Sequence, residues 1–295
     1  MRRFPPSGGR FDLVHVVDPA LWYTASPRLK RTNKVVVTFH DLYGLVHPED
    51  PAHKSVRGRG FQLLFRRAVK ASFRRADGVV AASAQTAREI AAVLGSSAKV
   101  RVVNPAIGAR FRPSRDRATG GTTNIGYLSN LDDNRRLDKA LRIISELARM
   151  KLKVKFQIRG GGKGRLKLWE YARSLGVAES VTFLDYIPEE RLPEFYNQLD
   201  LFLFPVNYEG FGYPILEAQA CGTPVILFKD AEISPEVSKQ ALVAKDESEA
   251  ASLAHALATN PEYHSRVSKA SADYASSFTL VKMGAETKKL YDEIS

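Results

Sequence analysis

The chain reads as an α/β protein with two doubly wound, Rossmann-like domains, and three observations carry that reading. Short apolar, β-branched runs alternate with helical stretches along nearly the whole chain. Those runs are continuously apolar, as strands buried on both faces of a parallel sheet are. The length of 295 residues exceeds what one hydrophobic core usually supports.

In the first part, Asp12–Val17 (DLVHVV), Val35–Phe39 (VVVTF), Gly78–Ala82 and Val100–Val103 have strand character. Gly60–Arg75 and Thr86–Leu94 are helical, the second with Ser83 placed to accept a first-turn amide. Pro113–Thr123 (PSRDRATGGTT) is polar and carries Pro and Gly, so it is read as the linker. The first domain is then expected over 1–113 and the second over 114–280. The second series is more regular, with strands at Asn124–Leu128, Val154–Ile158, Val181–Leu184, Leu201–Phe204 and Pro224–Phe228. Helices at Arg136–Met150, Arg165–Leu175, Glu189–Gln198 and Pro214–Ala220 separate them, and Glu247–Thr259, Glu262–Ser276 and Val281–Ile294 close the chain. Strict alternation of this kind makes a doubly wound parallel sheet, with ligands at the carboxyl ends of its strands.

An apolar content of 44% describes a soluble globular protein, and no run approaches the ~18 apolar residues of a membrane span. The basic start, MRRFPPSGGR, leads into no apolar core of signal-peptide length. One cysteine, Cys221, excludes an internal disulfide framework and fits a reducing cytosol. With no histidine near it in sequence, Cys221 reads as a small buried residue and not as a nucleophile.

The net charge of +12 is uneven: Met1–Pro113 holds 20 Lys plus Arg against 7 Asp plus Glu, and the remainder 24 against 25. Such a field favours anionic partners. The stretch 61–77 (FQLLFRRAVKASFRRAD) sets Arg66, Arg67, Lys70 and Arg74 at helical spacing beside Phe61, Leu64, Phe65 and Phe73. It could rest on an anionic membrane surface, or it could be an ordinary amphipathic helix with a solvated charged face. The expected location is cytoplasmic, at the inner face of the membrane if that helix meets lipid and in the bulk cytoplasm if its charged face is merely solvated. No nucleic-acid partner is expected, because the basic residues come with no reading motif or aromatic platform.

The stretch Glu209–Ile226, EGFGYPILEAQACGTPVI, organises the second part. Glu209 and Glu217 flank a Gly-Phe-Gly turn and Pro214, which fits the first turn of a helix. Gly210 and Gly212 let the backbone approach a ligand closely. A helix starting here aims unpaired amides and its positive dipole end at whatever lies in front, which makes a seat for an anion. The plain alternative is a loop-to-helix junction with a solvent-facing Glu.

These residues, preceded by LDLFLFPVNY, resemble the donor site of the family-4 retaining glycosyltransferases of the GT-B fold. IRGGGKGRLKLWEYARSLGV resembles that family's strand, glycine turn and helix, and VTFLDYIPEERLPEFYNQLD the segment that passes the nucleotide base. VVVTFHDL resembles its His-Asp strand end, and RRADGVVAASAQTAREI with VRVVNPAIGARFRP the approach to its interdomain linker. The resemblance runs from Phe11 to Ile294.

It implies roles. Glu217, the second Glu of the E-x7-E motif, would contact the ribose of a nucleotide sugar. Glu209, with Gly210 and the amides of Phe211 and Gly212, would hold the donor sugar, since charge-assisted hydrogen bonds to vicinal hydroxyls are strong. His40 would sit near the acceptor hydroxyl with Asp41 beside it, although a strand-end His satisfied by local backbone is the plain alternative; His15 is read as structural. The growing charge on the departing nucleotide diphosphate must be stabilised in advance. The sequence has no Asp-x-Asp and no metal-ligand spacing, so no metal is expected and positive side chains should serve.

The family's usual Arg and Lys follow the first strand of the second domain, and here the sequence departs from the pattern. In GYLSNLDDNRRLDKAL, Tyr127 stands where the Arg is common, and ungapped counting puts Asp132 at the Lys position. A three-residue insertion puts Arg135 there instead, which makes Arg135 the expected diphosphate partner, with Arg136 and Lys163 in reserve. At the front, the family's opening strand and glycine loop are missing, so about 60 to 90 residues of its first domain are expected to be absent. The last helix, within 281–295, would cross back to the first domain.

The implied function is transfer of a hexosyl unit from a UDP- or GDP-linked sugar to a hydroxyl of a glycan or lipid-linked acceptor. Transfer would proceed with retention and need neither a metal nor a cofactor. A weak or inactive glycosyltransferase-like subunit acting with a partner remains the alternative.

Overall fold

The computed structural model describes residues 11–22, 33–48, 56–95, 98–114, 121–131, 135–162 and 164–295, with side chains from residue 60 in the helix that begins at Val56. The chain forms two compact units: one ends at Pro105 and includes Leu280–Ser295, the other is Ala106–Thr279. The boundary expected after Pro113 therefore lies inside the second unit. The reason is packing, because Phe111 is buried in that unit's core and the Ser114 N–H donates to Asn197 Oδ1 at 2.7 Å.

In the first unit, β1 (Leu13–Val16), β2 (Lys34–Phe39), β3 (Gly78–Ala81) and β4 (Val100–Val102) form a parallel sheet in sequential order. Right-handed crossovers in a sheet of that order place the connecting helices on one face. On that face Val35, Val37 and Phe39 pack with Ala68, Val69 and Phe73 of the Val56–Arg75 helix and Ile90 of the Ala84–Leu94 helix. Ser83 caps the latter by accepting from the Thr86 N–H at 3.0 Å, as its sequence position predicts.

The other face, with Val36 and Val80, is covered by Leu290 of the terminal helix, Leu280–Ile294. Gly78 permits that approach, since a Cβ added there would stand 3.0 Å from Leu290 Cδ1. Arg101 on β4 pairs with Glu286 at 3.5 Å and also with Glu293. The uninterrupted apolar run of β2 thus serves two cores, one on each face.

The second unit holds β5 (Thr123–Leu128), β6 (Val154–Arg159), β7 (Val181–Leu184), β8 (Leu201–Leu203), β9 (Tyr208–Glu209), β10 (Val225–Phe228), β11 (Glu232–Ile233) and β12 (Leu242–Ala244). Six of them pair in parallel in the order β12-β10-β8-β5-β6-β7, and β9 and β11 make a separate two-stranded pair. The sequence reading lacked β9, β11 and β12, which are two or three residues long. It also expected one helix over Glu189–Gln198, where a 3-10 turn at Glu189–Arg191 runs into the helix Leu192–Asn197, with Pro193 in its first turn. The order reverses between β5 and β8. Sheets of this kind hold ligands outside the carboxyl ends of the two strands flanking such a reversal.

Candidate functional site

The segments that follow β5 and β8 meet at that reversal. β5 is apolar to its end: Tyr127 is fully buried, stacks on Phe204 at 6.0 Å between ring centres, and donates its hydroxyl to Asn130 O at 2.8 Å. The loop beyond it is held by the turn after β6, through Ser129 N–H to Arg159 O (3.2 Å) and Leu131 N–H to Gly161 O (3.0 Å). Gly160 makes this approach possible, since a Cβ there would fall 1.9 Å from Ser129 O. The glycine turn thus holds Ser129 and Leu131, on either side of Asn130. Lys163, in the same turn, lies outside the described residues.

Arg135 donates from Nε to Asn130 Oδ1 at 3.0 Å and from Nη1 to Glu209 Oε1 at 2.8 Å. The expected diphosphate partner and the first Glu of the motif are therefore joined directly. Arg136 is engaged elsewhere. In left-handed backbone (φ 50°) at the start of the Leu137–Arg149 helix, it donates to the carbonyls of Pro205 and Val206 and to Asp230 Oδ2 at 2.8 Å. Lys139 reaches the same carboxylate at 3.3 Å. Burial pushes Asp230 up, but Arg136 and Lys139 outweigh it and hold the carboxyl below its ordinary range. Arg136 thereby ties the segment after β8 to the helix after β5.

Beyond Glu209 the chain turns into the Tyr213–Ala220 helix, one residue earlier than Pro214. Gly212 precedes it with φ 95°, a conformation that strains any side chain, and an added Cβ would stand 3.0 Å from Ile215 Cδ1. The Phe211 ring is buried edge-to-face against Tyr213 at 5.5 Å and Phe278 at 6.1 Å, which anchors the turn from inside. In this first turn Pro214 has no N–H, and the amides of Ile215 and Leu216 both donate to Gly212 O, at 3.1 and 3.2 Å.

Glu217 lies one turn further along and accepts from Tyr196 Oη at 2.8 Å. Burial pushes the Glu217 carboxyl up; the Tyr196 hydrogen bond and Arg110 pull it down, Glu189 adds to the rise, and the result is about 7. Tyr196, fully buried, is itself pushed up by burial and by Glu217. The sequence reading did not single out Tyr196 or Asp230, and nothing in one sequence distinguishes them from core and surface residues. Cys221 is buried, as expected.

The acceptor-side candidates belong to the first unit. His40 is exposed, and its Nε2 donates to Val17 O at 3.0 Å, so the lone pair of the neutral ring is on Nδ1. Asp41 Oδ1 accepts from the Tyr43 N–H at 3.0 Å, starting the short helix Tyr43–Val46. His15, read as structural, lies between Tyr291 and Thr38.

The chain is 33% identical over 167 residues to the GDP-mannose-dependent alpha-(1-6)-phosphatidylinositol monomannoside mannosyltransferase of Mycolicibacterium smegmatis, a match covering 51% of this chain and 44% of that protein. It is 29% identical over 219 residues to the D-inositol 3-phosphate glycosyltransferase of Corynebacterium jeikeium, covering 66% of this chain and 52% of the relative. The chain thus spans about half the length of these curated relatives. Among solved structures it resembles sucrose-phosphate synthase from Thermosynechococcus elongatus (TM-score 0.80, 18% identity, 96% of this chain and 74% of that one). It also resembles Anabaena Alr3699/HepE in complex with UDP and glucose (TM-score 0.75, 15% identity, 96% and 77%). These likenesses show the fold, the pair of Rossmann-like α/β units called GT-B; in the first unit the described strands run in sequential order and are not doubly wound. The family model described as Glycosyltransferase Family 4 matches residues 1–109, and the one described as Glycosyl transferases group 1 matches residues 114–272. With more than half of its length matched by that second model, the chain belongs to the glycosyl transferases group 1 family.

Proposed function

We propose that the chain transfers a hexosyl unit from a UDP- or GDP-linked sugar to a hydroxyl of a glycan or lipid-linked acceptor, with retention and without a metal. One observation carries the reading: Arg135 and Glu209 are paired at 2.8 Å where the strand order reverses, beside the glycine-led helix start and the half-buried Glu217. Arg135 and the helix dipole supply the positive charge that a departing diphosphate needs. Glu209 and Glu217 supply acceptors for the hydroxyls of sugar and ribose. The names of the relatives, a GDP-mannose-dependent enzyme and inositol phosphate glycosyltransferases, agree with that substrate class.

The test is nucleotide release from UDP-glucose and GDP-mannose, with lipid-linked and glycan acceptors, in the presence of EDTA. The reading expects nucleotide release with a product of unchanged anomeric configuration. A folded protein that binds these donors but never turns them over is the catalytically silent subunit of the alternative.

The helix Val56–Arg75 favours a membrane-borne acceptor. In the turns before its buried Ala68, Val69 and Phe73, it exposes Phe61 (64%), Leu63 (52%) and Leu64 (54%), and Arg66, Arg67, Lys70 and Arg74 are exposed along it. An apolar face rimmed by cations suits peripheral attachment to anionic lipid at the cytoplasmic face. Among the described residues no helix is long and apolar enough to cross a membrane. Co-sedimentation with phosphatidylglycerol vesicles should be lost when Arg66, Arg67 and Lys70 are changed to Glu; binding that persists contradicts the attachment.

A further inference from the structure

The terminal helix does more than close the sheet of the first unit. Its seat is built by Leu290 over Gly78 and by the Arg101 ion pairs, and Tyr291 is the next residue along. Tyr291 Oη lies 2.6 Å from His15 Nδ1, and the two rings meet edge-to-face with centres 5.8 Å apart. On its far side, His15 Nε2 lies 2.7 Å from Thr38 Oγ1. A half-buried imidazole with a hydroxyl on each nitrogen is oriented from both ends.

His15 stands on β1, and the carbonyl two residues further on, that of Val17, takes the Nε2–H of His40 at 3.0 Å. Thr38 stands on β2, two residues before His40. Both routes from His15 thus end at the same imidazole: one through the strand end that holds its ring, the other through the strand that carries its backbone. Burial foremost, and then the nearby His40, lower the pKa of His15, which favours its neutral ring. A neutral imidazole donates from one nitrogen and accepts at the other, so the string runs through the ring in a single direction.

We propose that Tyr291 is a positioning residue, setting through His15 and Thr38 the strand ends that place the imidazole of His40. Its bearing on transfer rests on the reading above that His40 faces the acceptor hydroxyl. The experiment is Tyr291→Phe, which keeps the ring against His15 and removes only the hydroxyl. Two readouts are needed: the side-chain nitrogen and proton resonances of the histidines, and steady-state transfer from GDP-mannose or UDP-glucose.

The proposal expects the His40 ring resonances to move and kcat to fall about tenfold, with KM for the nucleotide sugar unchanged. Thr38→Val opens the string from its other end and is expected to reproduce the pattern, which also serves if Tyr291→Phe fails to fold. His40 resonances that stay at their wild-type positions in a folded variant overturn the proposal, whatever happens to thermal stability. A kcat that stays at the wild-type value while His40 moves overturns its bearing on transfer. A wild-type protein without transfer activity defeats the functional reading alone, because the resonances still report whether Tyr291 positions His40.

Discussion

Arg135 and Glu209 form an ion pair of 2.8 Å whose side chains are 20% and 21% exposed. Surface ion pairs contribute little, but this one is four-fifths removed from solvent and placed where sheets of this type bind ligands. Without a donor, each partner satisfies the other's charge. In the proposed function a bound donor would draw Arg135 to its diphosphate and Glu209 to its sugar. Arg135→Ala is therefore expected to weaken UDP or GDP binding by about 10- to 100-fold, the worth of hydrogen bonds to charged groups. Glu209→Gln is expected to leave the free nucleotide bound nearly as in wild type while the sugar donor loses affinity. Calorimetry with nucleotide and nucleotide sugar in parallel separates the two effects.

Glu217 makes the second unit pH-dependent. Its carboxyl titrates near 7 in the folded protein and near 4.5 when free. A raised folded-state pKa means that the protonated form is favoured by folding. Its stabilising contribution is thus complete below about pH 4.5 and is lost as the pH rises through 7. The change is on the order of 3 kcal/mol across that window. Urea unfolding as a function of pH should show the slope in wild type and a much smaller one in Glu217→Gln. Equal slopes in the two proteins contradict the assignment. Donor binding should move the other way, strengthening as the carboxylate forms to accept ribose hydroxyls.

The glycine turn after β6 offers a paired test. A Cβ on Gly160 meets Ser129 O at 1.9 Å, whereas one on Gly161 meets nothing within 4 Å. Gly160→Ala must shift backbone against backbone, so it is expected to cost ~2 kcal/mol or more and to disturb Ser129 and the neighbouring Asn130, which accepts from Arg135. Gly161→Ala is expected to lie close to wild type. Thermal unfolding of both variants, with nucleotide affinity measured alongside, checks the pair.

In the first unit, Leu290→Ala removes the side chain that covers Val36 and Val80. The side chain is nearly fully buried, at 4% exposure, so a loss of about 2–5 kcal/mol is expected. Hydrogen exchange should show the Leu280–Ile294 helix losing protection. Protection unchanged from wild type would mean that Leu290 does not hold the helix on the sheet.

Much of this was legible in the residues alone. The two-sided apolar runs at Val35–Phe39 and Leu201–Phe204 announced parallel strands because burial on both faces leaves no polar alternation. Ser83 announced its helix because a capping hydroxyl acts within three residues. Arg135 could be named as a candidate, its role a proposal, because an insertion of three residues also gives the following helix a sensible start. Contacts made at long range left no such trace. Tyr196 meets Glu217 across 21 residues, and Arg136 meets Asp230 across 94. Both depend on how helices and loops pack on the sheet. The strands β9, β11 and β12 were too short for any periodicity to show, and the start of the second unit was hidden because Phe111, ahead of the polar stretch read as the linker, packs on Tyr196 far along the chain.

The most direct test of the account is calorimetric titration of the purified chain with UDP-glucose and GDP-mannose, for wild type, Glu217→Ala and Arg135→Ala. The account predicts that wild type binds at least one of the two donors and that both variants lose at least tenfold in affinity while remaining folded. A folded wild type that binds neither donor, or variants that bind as well as wild type, would contradict it.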